Sequence, residues 1–169
     1  EIALEQLIPN ALEVGVEIDD LIIDPLVLTV SGCQEYCPEC IEAVRTLKFA
    51  WDPPPLVSVG LSNVSNAVPR EMRPLINQVY LVMLMAAGVD IIIADPLDEG
   101  LRKTIRTIEE RDDTTPVSAL YLTLHDRTAA MEELTRDDVD MLDPEQAAIF
   151  KTVQVLLNQV IYTDSYLRF

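Results

Sequence analysis

Asp24, Ser62, Asn63 and Asp95 share a position in the chain: each stands just behind a short apolar run. Leu21-Ile22-Ile23 precedes Asp24, Leu56-Val57-Ser58-Val59-Gly60-Leu61 precedes Ser62-Asn63, and Val89-Asp90-Ile91-Ile92-Ile93-Ala94 precedes Asp95. A carboxylate set between Ile23 and Pro25 needs hydrogen-bond donors. A heterocycle with adjacent N–H groups supplies two of them at once. The plainer reading is an aspartate capping a strand-end turn. The Asn63 amide donates and accepts together, so it can hold an acceptor nitrogen and a neighbouring group. Its plainer reading is an asparagine that fixes loop geometry. The only histidine, His125, has no second nitrogen ligand to make a zinc site and reads as a surface or locally satisfied residue. No Gly-x-Ser-x-Gly elbow supports a Ser-His-Asp triad.

The elements that must carry these groups follow from periodicity. Ile2–Val14 reads as a helix weakened by Pro9, and Leu21–Leu28 as a buried strand interrupted by Asp24-Pro25. Pro38–Lys48 reads as a helix, Leu56–Leu61 as a strand, and 62–73 as polar and irregular. Pro74–Ala87 is an apolar helix ended by Gly88, with Tyr80, Met83 and Met85 as core. Val89–Ala94 is a third strand, and Leu97–Glu110 an amphipathic helix. Residues 112–116 read as a linker and 118–141 as one or two short helices. A last helix opens on Asp143 and runs to about Gln159. Strands alternating with helices predict a parallel sheet with right-handed crossovers, in an open sheet or a barrel. Neither GxGxxG nor GxxxxGK[ST] occurs, which weakens the nucleotide-binding open sheets. Three strands are too few for a closed barrel. No internal repeat is read.

The chain has 169 residues and a formal net charge of −17, from 12 basic and 29 acidic residues. Such a chain is a poor ligand for nucleic acid or an anionic membrane. The longest apolar stretch, Val79–Ile93, is broken by Gly88 and Asp90, short of the roughly 18 residues a membrane span needs. Three cysteines within one short window and no recognisable leader point to a reducing cytoplasm. The first residue is Glu1, and further chain is expected upstream of it.

Three segments taken together resemble the pterin-binding methyltransferases: Leu21-Ile22-Ile23-Asp24-Pro25-Leu26-Val27-Leu28, Gly60-Leu61-Ser62-Asn63-Val64-Ser65 and Arg73-Pro74-Leu75-Ile76-Asn77. The likeness is greatest to the methyltetrahydrofolate:corrinoid/iron–sulfur protein methyltransferases. Lys151–Asn158 and Ile161-Tyr162-Thr163-Asp164-Ser165 are similar to that family's last helix and tail. The resemblance covers about residues 1–104 and 145–169. It implies an α/β fold, a partial (β/α)8 barrel holding the last three strands and their helices. Five strands would lie upstream. Residues 1–169 would be the C-terminal part of one barrel domain, with 112–142 as an insertion. It implies that Asn63 contacts N5 of a methyl-tetrahydropterin as the catalytic group. Asp24, Gly60, Ser62, Asn66, Arg73 and Ile93 would bind the pterin and its tail. Methyltetrahydrofolate would be the donor and the cobalt of a corrinoid protein the acceptor, with no metal held directly and a homodimer once complete.

A competing constellation is Cys33-x3-Cys37-x2-Cys40, the spacing that radical S-adenosylmethionine enzymes use for a [4Fe–4S] cluster with one open iron. The alternative to it is that the cysteines are local substitutions, with Cys40 a small apolar residue on a helix. A third expectation is an incomplete barrel that is inactive alone.

Overall fold

The computed structural model describes residues 2–163. Its first turns run from a wide π-turn, Ala3–Leu7, into α1, Ile8–Glu13, with Pro9 in the opening turn of α1. Leu7 and Ile8 are themselves helical, so Pro9 lies inside one continuous helical run, and the wider turn just before it is where the ladder accommodates a residue without an N–H.

Three strands form one parallel sheet in chain order: β1, Ile22–Ile23; β2, Leu56–Gly60; and β3, Ile91–Ile93. Ile22 and Ile23 pair with Leu56 and Val57, and Ser58, Val59 and Gly60 pair with Ile91, Ile92 and Ile93. The strand read over Leu21–Leu28 is thus cut to two residues. Pro25 has no N–H to pair, and Leu26 sits at φ +68°, outside any strand conformation. Likewise Val89-Asp90 lies outside β3. The Asp90 carboxylate instead accepts from the Val57 N–H at 2.7 Å and from the Lys48 ammonium at 3.0 and 2.9 Å, closing the amino end of the sheet.

After β1 comes a kinked turn, α2, Val30–Cys33, and then α3, Tyr36–Phe49. After β2 comes a 3-10 turn, Leu61–Ser65, and then α4, Arg73–Ala87, which ends on Gly88 at φ +101°. Sequential parallel order with right-handed crossovers puts α3 and α4 on the same side. They pack on each other, and α3 packs on β2. Val57 and Val59 are wholly buried. Residues paired across parallel strands share a face, so Ile22, Leu56, Ile91 and Ile93 lie on the other one. Ser58 and Gly60 share that face, and Ser58 is buried at its centre; Ile22 is 55% and Ile93 62% exposed, so the face is open toward its two ends.

α5, Glu99–Glu110, starts on the N-cap Asp98 and not at Leu97. α6, Pro116–Ala129, is one long helix, where short ones were expected from Ser118 onward. Pro116 is its first residue, not linker, and Thr115 and Ser118 form a reciprocal capping box. α6 packs on α4, α5 and α7, Pro144–Leu156, burying Leu120, Tyr121, Leu122 and Leu124. Residues within 112–142 therefore belong to the same core. α4 touches α3, α5, α6, α7 and the 61–65 turn, which is why it is apolar nearly all round. Tyr80 and Met83 are buried in it, and Met85 is half-buried.

Candidate functional site

In a parallel sheet all carboxyl ends lie along one edge. Here that edge is built by Asp24 after β1, by Leu61-Ser62-Asn63 after β2 and by Ala94-Asp95 after β3. The 3-10 turn after β2 repeats every three residues, so Leu61 and Val64 both turn into the core and are fully buried. Ser62 and Asn63 between them are exposed. The Asn66 N–H donates to the Asn63 carbonyl at 3.1 Å and closes the turn.

The structure brings Gly60, Asn63 and Ile93 together. Gly60 and Ile93 are register partners at the last rung of the sheet. The Asn63 amide folds back over that rung, with Nδ2 3.1 Å from the point where a Cβ on Gly60 would stand. Among the described residues the Asn63 side chain makes no hydrogen bond, so both its donor and acceptor sides are available. Ile93 offers an exposed apolar surface beside it.

The other candidates have local partners. Asp24 is exposed, and its Oδ1 accepts from the Leu26 N–H at 2.8 Å, an Asx turn that leaves Oδ2 unpartnered. Its burial within an apolar strand is therefore corrected, because the strand has ended before it. Asn66 Oδ1 accepts from the Ala67 N–H at 3.0 Å, and its carbonyl accepts from the Thr29 hydroxyl, tying the loop after β1 to the loop after β2. Arg73, half-buried at the start of α4, donates from Nε to the Val68 carbonyl at 2.7 Å. Asn66 and Arg73 thus shape the 66–73 loop.

Two features escaped the sequence reading. Asp95-Pro96-Leu97 repeats the Asx turn of Asp24-Pro25-Leu26, with Asp95 Oδ1 accepting from the Leu97 N–H at 2.9 Å; the repeated tripeptide was the available signal. Gln34 stands in a loop, Gln34-Glu35-Tyr36, that resembles the methyltransferases', but nothing in the sequence points to the bonds it makes. Its buried amide donates to the Val155 and Val160 carbonyls at 2.8 and 2.6 Å and accepts from the Tyr162 N–H at 2.6 Å, holding the tail against α2. Asp164 and Ser165 of the tail lie outside the described residues.

Two of the three cysteines form part of the core, and Cys33 is half-buried. Cys37 and Cys40 are buried on α3, and the Tyr80 hydroxyl donates to the Cys37 carbonyl at 2.9 Å. Burial, with Cys40 and Cys33 nearby, pushes the Cys37 thiol up to about 12, and burial raises Cys40 as well. Among the described residues no three His, Cys, Asp or Glu side chains are grouped to hold a metal ion. His125 is a rim residue paired with Asp126 at 3.1 Å.

No family model matches the chain. Among the described residues no helix is long and apolar enough to cross a membrane.

Proposed function

We propose that this chain is the C-terminal portion of a pterin-binding (β/α)8 barrel whose complete enzyme transfers a methyl group from methyltetrahydrofolate, or a related methyl-tetrahydropterin, to the cobalt of a corrinoid protein. The observation that carries this reading is the unpartnered Asn63 amide at the carboxyl edge of a parallel sheet, folded over Gly60 beside the exposed Ile93. Ligands of parallel α/β folds collect at that edge. The sequential strand order, with helices to one side and an open apolar face to the other, is what three adjacent strands of a barrel present.

The chemistry sets what the residues must do. Methyl transfer from N5 leaves the N–C bonding pair on nitrogen, while the reduced cobalt of the partner supplies the pair for the new bond. N5 departs more readily as it gains positive character. An amide that reorients toward N5 as protonation or the transition state develops lowers the barrier without being an acid. Asp24 Oδ2 is the acceptor for ring N–H groups, Ile93 packs on the ring, and Ser62 lines the rim. Arg73 keeps guanidinium N–H groups beyond its bond to Val68 for the benzoate or glutamate tail.

The test is anaerobic methyl transfer by the full-length protein from methyltetrahydrofolate to cob(I)alamin, followed by the loss of cob(I)alamin absorbance. Saturable transfer is the expected result. Absence of transfer together with absence of folate binding in calorimetry would remove the reading.

A further inference from the structure

Gly60 is a glycine that the backbone does not require. Its φ is −84° and its ψ 86°, a conformation open to any L-residue, unlike Gly15, Gly32 and Gly88 with φ near +90° to +100°. Nor does packed backbone exclude a side chain here. The heavy atoms within 4 Å of a Cβ at Gly60 are Asn63 Nδ2 at 3.1 Å and Asn63 Cγ at 3.8 Å. The missing methyl group is therefore space reserved for one amide. No protein hydrogen bond holds that amide in place among the described residues, so its position depends on where it is allowed to rest.

We propose that Gly60 is a positioning residue that acts through Asn63. By leaving the last rung of β2 bare, it lets the Asn63 amide lie back over the Gly60–Ile93 pair, where it reaches a heterocyclic nitrogen resting on Ile93. A Cβ at Gly60 lifts Nδ2 by a few tenths of an ångström, and a branched side chain lifts it further. Because the Asn63 side chain is exposed and unbonded, it yields without disturbing the core. The fold tolerates the change and the ligand geometry does not. This inference rests on the methyl-pterin reading for its effect on rate, but not for its effect on the amide.

The experiment pairs Gly60→Ala and Gly60→Val with the same changes on an Asn63→Ala background in the full-length protein. Gly60→Ala is expected to melt no lower than wild type, since removing a glycine at a permissive φ also restricts the unfolded chain. Its kcat is expected to fall by roughly tenfold, and that of Gly60→Val by more, with smaller changes in KM for methyltetrahydrofolate; sub-ångström misplacement of a reacting group has effects of this order. On the Asn63→Ala background neither change should matter, because the amide it displaces is gone. Wild-type rates in Gly60→Ala, or equal losses on both backgrounds, would overturn the proposal. A second readout needs no activity: the Asn63 side-chain NH2 resonances should shift in Gly60→Ala. If the wild-type protein transfers no methyl group, the functional reading fails by itself. Gly60 then stands or falls on that shift, and unchanged resonances would overturn it.

Discussion

At the scale of single residues, the edge separates groups that hold their own loop from groups left for a ligand. Asn66, Arg73 and one oxygen of Asp24 are occupied by local backbone, while Asn63 and the second Asp24 oxygen are not. Two substitutions exploit the difference. Asn63→Ala removes a donor that matters most when N5 gains charge. It should lower kcat by about 10²–10³ while weakening folate affinity much less, by analogy with loss of an oxyanion-hole donor. Asp24→Asn keeps an oxygen to accept from Leu26 but can place an amide nitrogen where an acceptor is needed. Folate affinity should fall, with a smaller loss in the saturated rate. Stopped-flow transfer and separate equilibrium binding distinguish them. An unchanged saturated rate in Asn63→Ala would make Asn63 a binding residue only.

At the scale of elements, what the sequence discloses is what local rules decide. The strand–helix alternation, the αL cap at Gly88 and the N-cap at Asp143 are local and were legible. The shortening of β1 was signalled by Pro25, but its extent depends on where Leu26 turns to positive φ. The Asn63–Gly60 contact is local, an i,i+3 pair at the opening of the 3-10 turn, but the sequence does not mark where that turn begins; the Gln34 clamp is tertiary, and a bond across 128 residues leaves no periodic trace. The clamp is testable. Gln34→Ala takes the amide donor from the Val160 carbonyl and the acceptor from the Tyr162 N–H, while the Val155 carbonyl keeps the Asn158 N–H at 3.0 Å, which should cost about 1–3 kcal/mol in global or local opening. Amide exchange at Tyr162 should speed up, and unchanged protection there would show that the clamp is not what holds the tail. A second clamp joins α5 to α6 through Arg111, whose two guanidinium nitrogens reach Asp126 at 2.7 and 2.6 Å. Hydrogen bonding from Arg111 lowers the Asp126 carboxyl to about 2. A depressed carboxyl stabilises the fold above its unfolded value and loses that contribution as pH falls through the folded one. The stability difference between wild type and Asp126→Asn should therefore shrink between about pH 4 and pH 2. It should be small throughout, since both side chains are half exposed. A difference that grows on acidification would reverse the assigned sign.

For the whole molecule, the open sheet face and the net charge oppose each other. Ile22, Leu56, Ile91 and Ile93 present apolar surface that helices cover only on the other side, and the outer edges of β1 and β3 carry no strand partner among the described residues. Such a face drives association. The charge of −17 keeps copies apart, but only over a Debye length, about 10 Å at 0.1 M salt. The 169-residue chain alone should therefore be most monomeric at low salt and associate progressively as salt rises, seen by sedimentation velocity. Ile22→Lys and Leu56→Lys place charge on the apolar face at its β1 edge and should suppress that association without unfolding α3 to α7, whose core lies on the far side. The full-length protein, in which the proposed upstream strands cover the face and pair both edges, should show no such salt response and should melt cooperatively. If the isolated chain stays a sharply melting monomer across the salt range, the face needs no cover. The proposal that these three strands belong to a larger barrel would then lose its physical ground.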